Sequence, residues 1–240
     1  MTLYQYIEEV YNRLMAGAAS PPPTVPDFPP QVVEGVSRCL DLLFVPENVS
    51  GGTVCLANVE EVRSEYRTTF TSGELLDYFY ALLHLPDYRR PDKEFLEKDF
   101  PCLPYPKNAE AFWPLVKFGR RLRQLHLLER PGLEHRLHPF PITGSNLVSE
   151  PRFVVEEKEE DPGAGGLASV IGRIYINDSQ YFGQVPASVW NLDLGTYLPA
   201  QKWLKDRENS KLETNDVLHY QKITGILSKT ERLIEEMKGL

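Results

Sequence analysis

Apolar residues at Leu3, Ile7, Val10, Tyr11 and Leu14 fall at helical spacing and predict an amphipathic helix over 2–16. Six prolines between 21 and 30 remove amide donors and hold the chain extended, which reads as a linker. Val32, Val33, Val36, Leu40 and Leu43 share one face of a second short helix over 31–43. Residues 48–70, with Gly51–Gly52 and patches of alternation, read as loop with some strand character. Thr71-Ser72-Gly73-Glu74 has capping-box spacing ahead of Leu75, Leu76, Tyr78, Phe79, Leu82 and Leu83, so a buried helix is expected to begin there. After the breaks at Pro101 and Pro104, Asn108 is placed to cap a helix. That helix turns Phe112, Leu115, Val116, Leu122 and Leu125 inward and its arginines outward.

From about 130 to 200 the period changes. Phe153–Val155 and Ile174–Ile176 are short β-type runs among Gly, Pro, Asn and Asp. Helical spacing returns at 200–207 and at 214–238, where Val217, Tyr220, Ile223, Leu227, Ile234 and Met237 form one stripe. No internal repeat is visible. The fold class expected is α+β, with helical segments flanking a smaller β-rich part. Four parts follow: an N-terminal helix and proline-rich linker (1–28), a mainly helical segment (29–128), a β-rich part (129–200), and C-terminal helices (201–240) packing back on the helical segment.

The chain has 240 residues, 42% hydrophobic and 25% charged, an ordinary globular balance that excludes disordered, collagen-like and coiled-coil chains. No apolar run approaches the roughly 18–20 residues of a membrane span. Glu8 and Glu9 stand where a signal peptide would be basic, so a cytoplasmic protein is expected. Cys39, Cys55 and Cys102 are widely spaced in apolar settings and read as reduced core residues. Twenty-six basic against 34 acidic residues give a net charge of −8, which on its face argues against nucleic acid. The distribution changes that picture. Residues 1–80 hold eleven acids against four arginines, whereas 117–138 hold six basic residues against two acids.

Catalytic motifs are missing from the sequence: no phosphate-binding Gly-Lys-Ser/Thr loop, no Gly-x-Ser-x-Gly and no His-Glu-x-x-His. Asp161-Pro162-Gly163-Ala164-Gly165-Gly166 follows an acidic run instead of an apolar strand and reads as a surface loop. Glu156-x-Lys158 fits the tail of a nuclease metal site, but no second acid is placed beside it, and a solvated charge run is the plainer reading. His126, His135 and His138 lack a recognisable ligand spacing, and His84 and His219 sit on apolar helices. Tyr78, Phe79, Tyr80, Phe112, Trp113, Trp190 and Trp203 fit core positions, whereas Tyr175, Tyr181 and Phe182 fall in the β-rich part and suit a contact surface.

Three stretches carry a family resemblance. Leu75-Leu76-Asp77-Tyr78-Phe79-Tyr80-Ala81-Leu82-Leu83-His84-Leu85-Pro86-Asp87-Tyr88-Arg89 resembles a (Y/F)-I-Y-A-x-L-H-S-P-x-Y-R run. Glu94-Phe95-Leu96-Glu97-Lys98-Asp99-Phe100-Pro101 resembles that family's E-F-L-K-x-D-F-P-R-I-P, with Cys102 and Leu103 where the family has Arg and Ile. The third stretch runs from Gly172-Arg173-Ile174-Tyr175-Ile176-Asn177 through Gln180-Tyr181-Phe182, Val185-Pro186 and Val189-Trp190 to Gly195-x-Tyr197. It continues in Gln201-Lys202-Trp203-Leu204-Lys205-Asp206-Arg207 and His219-Tyr220-Gln221-Lys222-Ile223. Over about residues 30–238 this is similar to the C-terminal specificity region of type ISP restriction–modification enzymes and related adenine-specific DNA methyltransferases.

The resemblance implies a target-recognition domain for double-stranded DNA, non-catalytic by itself. Its partner would be a methyltransferase domain or subunit, which would bind S-adenosylmethionine and hold the flipped adenine. The motifs for those tasks do not occur here, so this chain is expected to carry no cofactor and no metal. A site-reading module needs cations for phosphates and amides or arginines for base edges. Arg120, Arg121 and Arg123 on one helix, and Lys202, Lys205 and Arg207 on another, suit the first need. Arg136, Asn146, Arg152, Asn177, Gln180 and Gln184 suit the second. With a pI near 5.3 the chain is expected to bind DNA weakly alone. The alternative is a degenerate relative that docks on another protein, for which the acidic N-terminal third and proline-rich linker are suited.

Overall fold

The computed structural model describes residues 3–17, 21–40, 43–45, 69–85, 104–129, 138–156, 170–193 and 198–238. The chain divides into two units, Met1–Arg13 with Ala18–Leu127 and Glu236–Leu240, and Leu14–Gly17 with Leu128–Glu235. The described residues form helices and short strands of the α+β class.

The first unit is built on helices. Helix α1 spans Leu3–Ala16 and belongs to this unit through Arg13; α2 spans Pro30–Leu40. Strands β1 (Leu43–Val45) and β2 (Thr69–Thr71) pair in parallel, Phe44 opposite Phe70. Leu43, expected at the end of a helix, thus begins a strand. Helix α3 covers Ser72–Leu82, and its start is the capping box read from sequence. The Thr71 amide donates to Glu74 Oε2 at 2.9 Å, and the Glu74 amide donates to Thr71 Oγ1 at 3.3 Å. All ten residues from Gly73 to Leu82 are buried, so α3 is the axis of this unit rather than a surface helix.

Helix α4, Ala109–His126, begins where the Asn108 side chain accepts from the Ala111 amide at 2.9 Å. It meets α3 at backbone distance. A Cβ placed on Gly119 would lie 1.7 Å from the Asp77 carbonyl oxygen, so only glycine permits this approach. Phe112 packs edge-to-face on Phe70 with ring centroids 5.7 Å apart, and the Tyr78 hydroxyl donates to the Pro104 carbonyl at 2.9 Å. Cys39, expected in the core, is exposed on α2. Cys55 and Cys102 lie outside the described residues.

The second unit carries the sheet. Strands β3 (Arg152–Val155), β4 (Ile171–Tyr175) and β5 (Tyr181–Pro186) are antiparallel in the order β3-β4-β5. Ile174, Ile176, Phe182 and Val185 face a core completed by Val189 of α5 (Ala187–Trp190) and by Trp203 and Leu204 of α6 (Pro199–Lys205). Tyr220, Ile223 and Leu227 of α7 (Thr214–Met237) close it. Through these residues the C-terminal helical stripe packs on the sheet, while Glu236 near its end belongs to the first unit. Phe182, expected on a contact surface, is fully buried in the same core and packs against the tilted rings of Phe140 and Tyr220.

The two motifs of the C-terminal resemblance meet in this core. The Tyr220 hydroxyl donates to the Ala200 carbonyl at 2.9 Å, tying α7 to the first turn of α6. Trp203 stacks on Tyr220 at 5.0 Å, and the Arg207 guanidinium lies 3.7 Å over the Trp203 ring. Gln221 donates to the His138 carbonyl at 2.6 Å, and His219 Nε2 lies 2.8 Å from the Met15 carbonyl. These motif residues hold the scaffold together.

Candidate nucleic-acid interface

The face of the sheet turned away from the core is chemically distinct. Alternation along β4 buries Gly172 and Ile174 and turns out Arg173 and Tyr175, while β5 turns out Tyr181 and Gln184. Register aligns them, because Arg152 faces Tyr175, and Tyr175 faces Tyr181. The result is an alternating ladder of arginine and tyrosine. The Arg152 guanidinium sits 5.2 Å over the Tyr175 ring, and that of Arg173 sits 4.5 Å over the Tyr181 ring. The two tyrosine rings lie 5.2 Å apart.

Both arginines keep about 40% of their side chains exposed (40% for Arg152 and 38% for Arg173). Arg173 Nε donates to Glu156 Oε1 at 2.5 Å. Its pKa is raised by Glu156 first and by the Tyr175 hydroxyl next, so it stays charged at any accessible pH. Arg152 lies 3.6 Å from Glu150 and 3.7 Å from Asp178. Val154, opposite Arg173 in the register, is exposed beside the ladder.

Gln184 is exposed and has φ +56°, a left-handed conformation rare for a residue with a side chain. The β4–β5 pairing shifts register between Gly172 and Ile174. A Cβ on Gly172 would meet the Val154 carbonyl oxygen of β3 at 2.3 Å, so the close approach of β3 to β4 requires glycine.

The remaining amides form a clamp. Gln180, 1% exposed, uses all four of its hydrogen-bonding positions. Its Nε2 donates to the Ile142 carbonyl at 3.0 Å and to Asn146 Oδ1 at 2.7 Å. Its Oε1 accepts from the Asn146 amide at 2.8 Å and from Asn177 Nδ2 at 3.1 Å. The two backbone partners, a carbonyl and an amide, fix which end is oxygen. Asn177 also donates to the Leu147 carbonyl at 2.9 Å and caps the turn through the Gln180 amide at 2.8 Å. Asn146, itself at φ +56°, donates to the Leu212 carbonyl at 3.2 Å. Expectation had Gln180, Asn146 and Asn177 meeting bases. The geometry instead spends these amides on joining residues 142–147 to the β4–β5 turn, and a buried, saturated Gln180 has no bond left for a base.

Charges expected at phosphates divide by environment. In the first unit, Arg123 Nε donates to Asp77 Oδ1 at 2.7 Å and Arg120 Nε to Asp77 Oδ2 at 3.1 Å. Asp77 is 1% exposed. Burial opposes the charge on Arg123, but the hydrogen bond and charge of Asp77 override it and raise its pKa. Arg121, on the same helix, reaches Glu236 at 3.3 Å. In the second unit Lys202 pairs with Asp206 at 2.9 Å within α6, Arg207 lies 3.9 Å from Asp216, and Lys205 is exposed. Arg136 lies outside the described residues, as do Lys158, His135 and the loop 161–166.

Histidines take structural places. The Tyr11 hydroxyl lies 2.5 Å from His84 Nε2, whose Nδ1 is 2.6 Å from the Tyr80 carbonyl. Because a carbonyl only accepts, Nδ1 carries the proton and Nε2 accepts from Tyr11. The Tyr80 hydroxyl is 2.7 Å from His126 Nδ1, and burial, with His84 adding to it, pushes the His126 pKa well below its usual value. Among the described residues no group of three or more His, Cys, Asp or Glu is placed to hold a metal. No described helix is long and apolar enough to cross a membrane.

The chain belongs to the Type ISP C-terminal specificity domain family, which it matches over residues 35–236. Compared with curated proteins, the chain shows no match. Among solved structures it is similar to a nuclease-deletion mutant of the Type ISP restriction-modification enzyme LlaGI in complex with a DNA substrate mimic. That similarity has 21% identity and a TM-score of 0.40, over 68% of this chain and 16% of that one. It is also similar to DrdV in a DNA complex (20% identity, TM-score 0.45, 75% of this chain and 19% of that one). A third is LlaBIII, an ATP-dependent Type ISP restriction-modification enzyme bound to DNA (17%, 0.40, 79% and 13%). The chain thus spans less than a fifth of each of these relatives.

Proposed function

We propose that the chain is the DNA target-recognition module of a restriction–modification adenine methyltransferase. In this reading it chooses the site on double-stranded DNA and leaves the chemistry to a methyltransferase domain or subunit that binds S-adenosylmethionine, in the bacterial cytoplasm. The observation that carries the reading is the arginine–tyrosine ladder on the open sheet face, in a chain of the Type ISP specificity family. Side chains projecting from a sheet face can reach the major groove, and arginine is the side chain best shaped for a guanine edge there. The tyrosines beneath hold the guanidinia outward and offer flat apolar contact to bases and sugars.

Arg152 and Gln184 are assigned to base contact, and Arg136 joins them on its place in the basic stretch. Arg121, Lys202, Lys205 and Arg207 are assigned to phosphates. Arg120 adds its half-exposed edge, and Arg123 contributes by bracing Asp77. Asn146, Asn177 and Gln180 serve the readout indirectly by fixing the loop beside the ladder.

The net charge of −8 keeps the isolated chain a weak binder, because phosphate neutralisation dominates affinity for DNA. Fluorescence anisotropy on random duplex DNA, at low and moderate salt, tests the reading with and without the methyltransferase domain. Binding that sharpens with the partner and falls steeply with salt is expected. No binding under either condition would overturn the reading in favour of a protein-docking module.

A further inference from the structure

We propose that Arg173 is a guanine-reading residue and that Glu156 is its positioning residue, so the recognised DNA site contains a guanine facing the middle of β4. The inference rests on the DNA-recognition reading above and narrows it to one base and one side-chain pair.

Arg173 is held on two sides before any ligand arrives. Glu156 accepts its Nε–H, and the Tyr181 ring lies 4.5 Å beneath the guanidinium. With Nε given to Glu156 and one further N–H to the Tyr175 hydroxyl, three N–H groups remain, at least one on each terminal nitrogen, and that pair forms the fork that matches O6 and N7 of guanine. Glu156 is itself anchored, because its amide donates to the Ile171 carbonyl at 2.9 Å and extends the β3–β4 ladder. The residue opposite Arg173 in β3 is Val154, too short to cover the guanidinium and without a group to compete for it.

The carboxylate argues for bases over phosphates. A phosphate clamp gains from every cation and tolerates loose side chains, so an acid beside it only weakens it. Base reading gains from a guanidinium held in one plane, and for that purpose a fixed carboxylate behind Nε is useful. Arg123 makes the contrast: its carboxylate partner is buried in the helical core, whereas Glu156 lies with Arg173 at the edge of an exposed face.

The test uses the full chain with its methyltransferase partner and a random 20-base-pair duplex pool, sequencing the bound fraction. Wild type is compared with Arg173→Lys, Glu156→Gln and Arg152→Lys. Arg173→Lys keeps the charge and loses the fork. It is expected to cut discrimination at one guanine about tenfold, within the range of a bidentate contact, while binding to scrambled duplex stays within about twofold. Glu156→Gln is expected to weaken the same preference and to tighten scrambled-duplex binding, a split that mere loss of structure would not produce. Arg152→Lys is expected to leave that guanine enriched. An unchanged guanine preference in Arg173→Lys would overturn the assignment while leaving the DNA reading intact, and so would an equal loss in Arg152→Lys. Failure of the wild-type assembly to bind any duplex would overturn both.

Discussion

The arginines of the first unit and those of the sheet face are the same residue put to opposite uses. Arg123 turns inward, and the half-exposed Arg120 reaches down with its Nε, onto a carboxylate that is itself part of the helical core, on α3. Arg152 and Arg173 turn outward and rest on tyrosine rings, with carboxylates at their margins. What separates them is the partner's burial. Asp77 needs its cations, because a buried carboxylate without them keeps the full desolvation cost. Glu150 and Asp178 are exposed and remain solvated whether or not Arg152 is near. On the DNA-recognition reading proposed above, arginine count alone therefore overstates the charge that the helical unit offers to DNA and understates that of the sheet.

The sharpest way to break the comparison is Asp77→Ala. It strands Arg123 beside a buried site and is expected to cost about 3 kcal/mol in urea unfolding, the range for breaking a buried pair from one side. A loss under about 1 kcal/mol would mean the pair is solvated like the sheet-face pairs. Gly119→Ala comes next. Alanine improves helix propensity by about 1 kcal/mol, yet its Cβ must displace the Asp77 carbonyl from 1.7 Å. Overpacking against backbone is expected to win, for a net loss of about 2 kcal/mol. A stabilised variant would show that α3 and α4 move apart freely.

Gln180→Leu tests the second unit on the same scale. It removes two donors and two acceptors from a buried site and is expected to cost about 2 kcal/mol, chiefly for the Ile142 carbonyl and Asn146 amide left unpaired. Were Gln180 a base reader, the variant would keep its stability and lose only DNA binding.

Acid sharpens the picture further. Burial lowers the pKa values of His126, His138 and His219 from the usual 6.5. The unfolded chain therefore binds more protons below that value. Stability is complete above about pH 6.5 and declines as pH falls from there toward the folded values, by at most about 1.4 kcal/mol per unit for each histidine. His126→Gln should flatten the pH dependence of unfolding; an unchanged slope would place the titration elsewhere.

Much of the first unit was legible because its signals are local. The Thr71–Glu74 box and the Asn108 cap use side chains within three residues of their targets, so spacing alone locates them. The sheet was harder. Strand β5 contains Gly183 and a left-handed Gln184, and the β4–β5 pairing is irregular, so period-two alternation breaks where it would have identified the strand. Arg173 was visible as a motif residue, but its role depends on Glu156, seventeen residues away across a hairpin. Gln180 looked like a base reader for the same reason: its four partners come from residues 142, 146 and 177, which no sequence period brings together. The C-terminal stripe announced a buried face, and Tyr220, Ile223 and Leu227 of it are buried against the sheet.

Arg152→Gln is the smallest change in stability and the one that most directly separates the two arginine groups. The side chain is 40% exposed, its carboxylates lie at 3.6 and 3.7 Å, and both are solvated. Its loss is expected to shift unfolding by less than about 1 kcal/mol, because the solvated ion pairs contribute little and glutamine keeps part of the contact with the Tyr175 ring. DNA binding by the assembly should nevertheless weaken severalfold, since the guanidinium is placed for the ligand and not for the fold. A variant that unfolds about 2 kcal/mol earlier and binds DNA as before would put Arg152 in the same category as Arg123. In that event the ladder would be a piece of scaffold, and the acidic chain would have no exposed arginine pair left on its sheet with which to approach DNA.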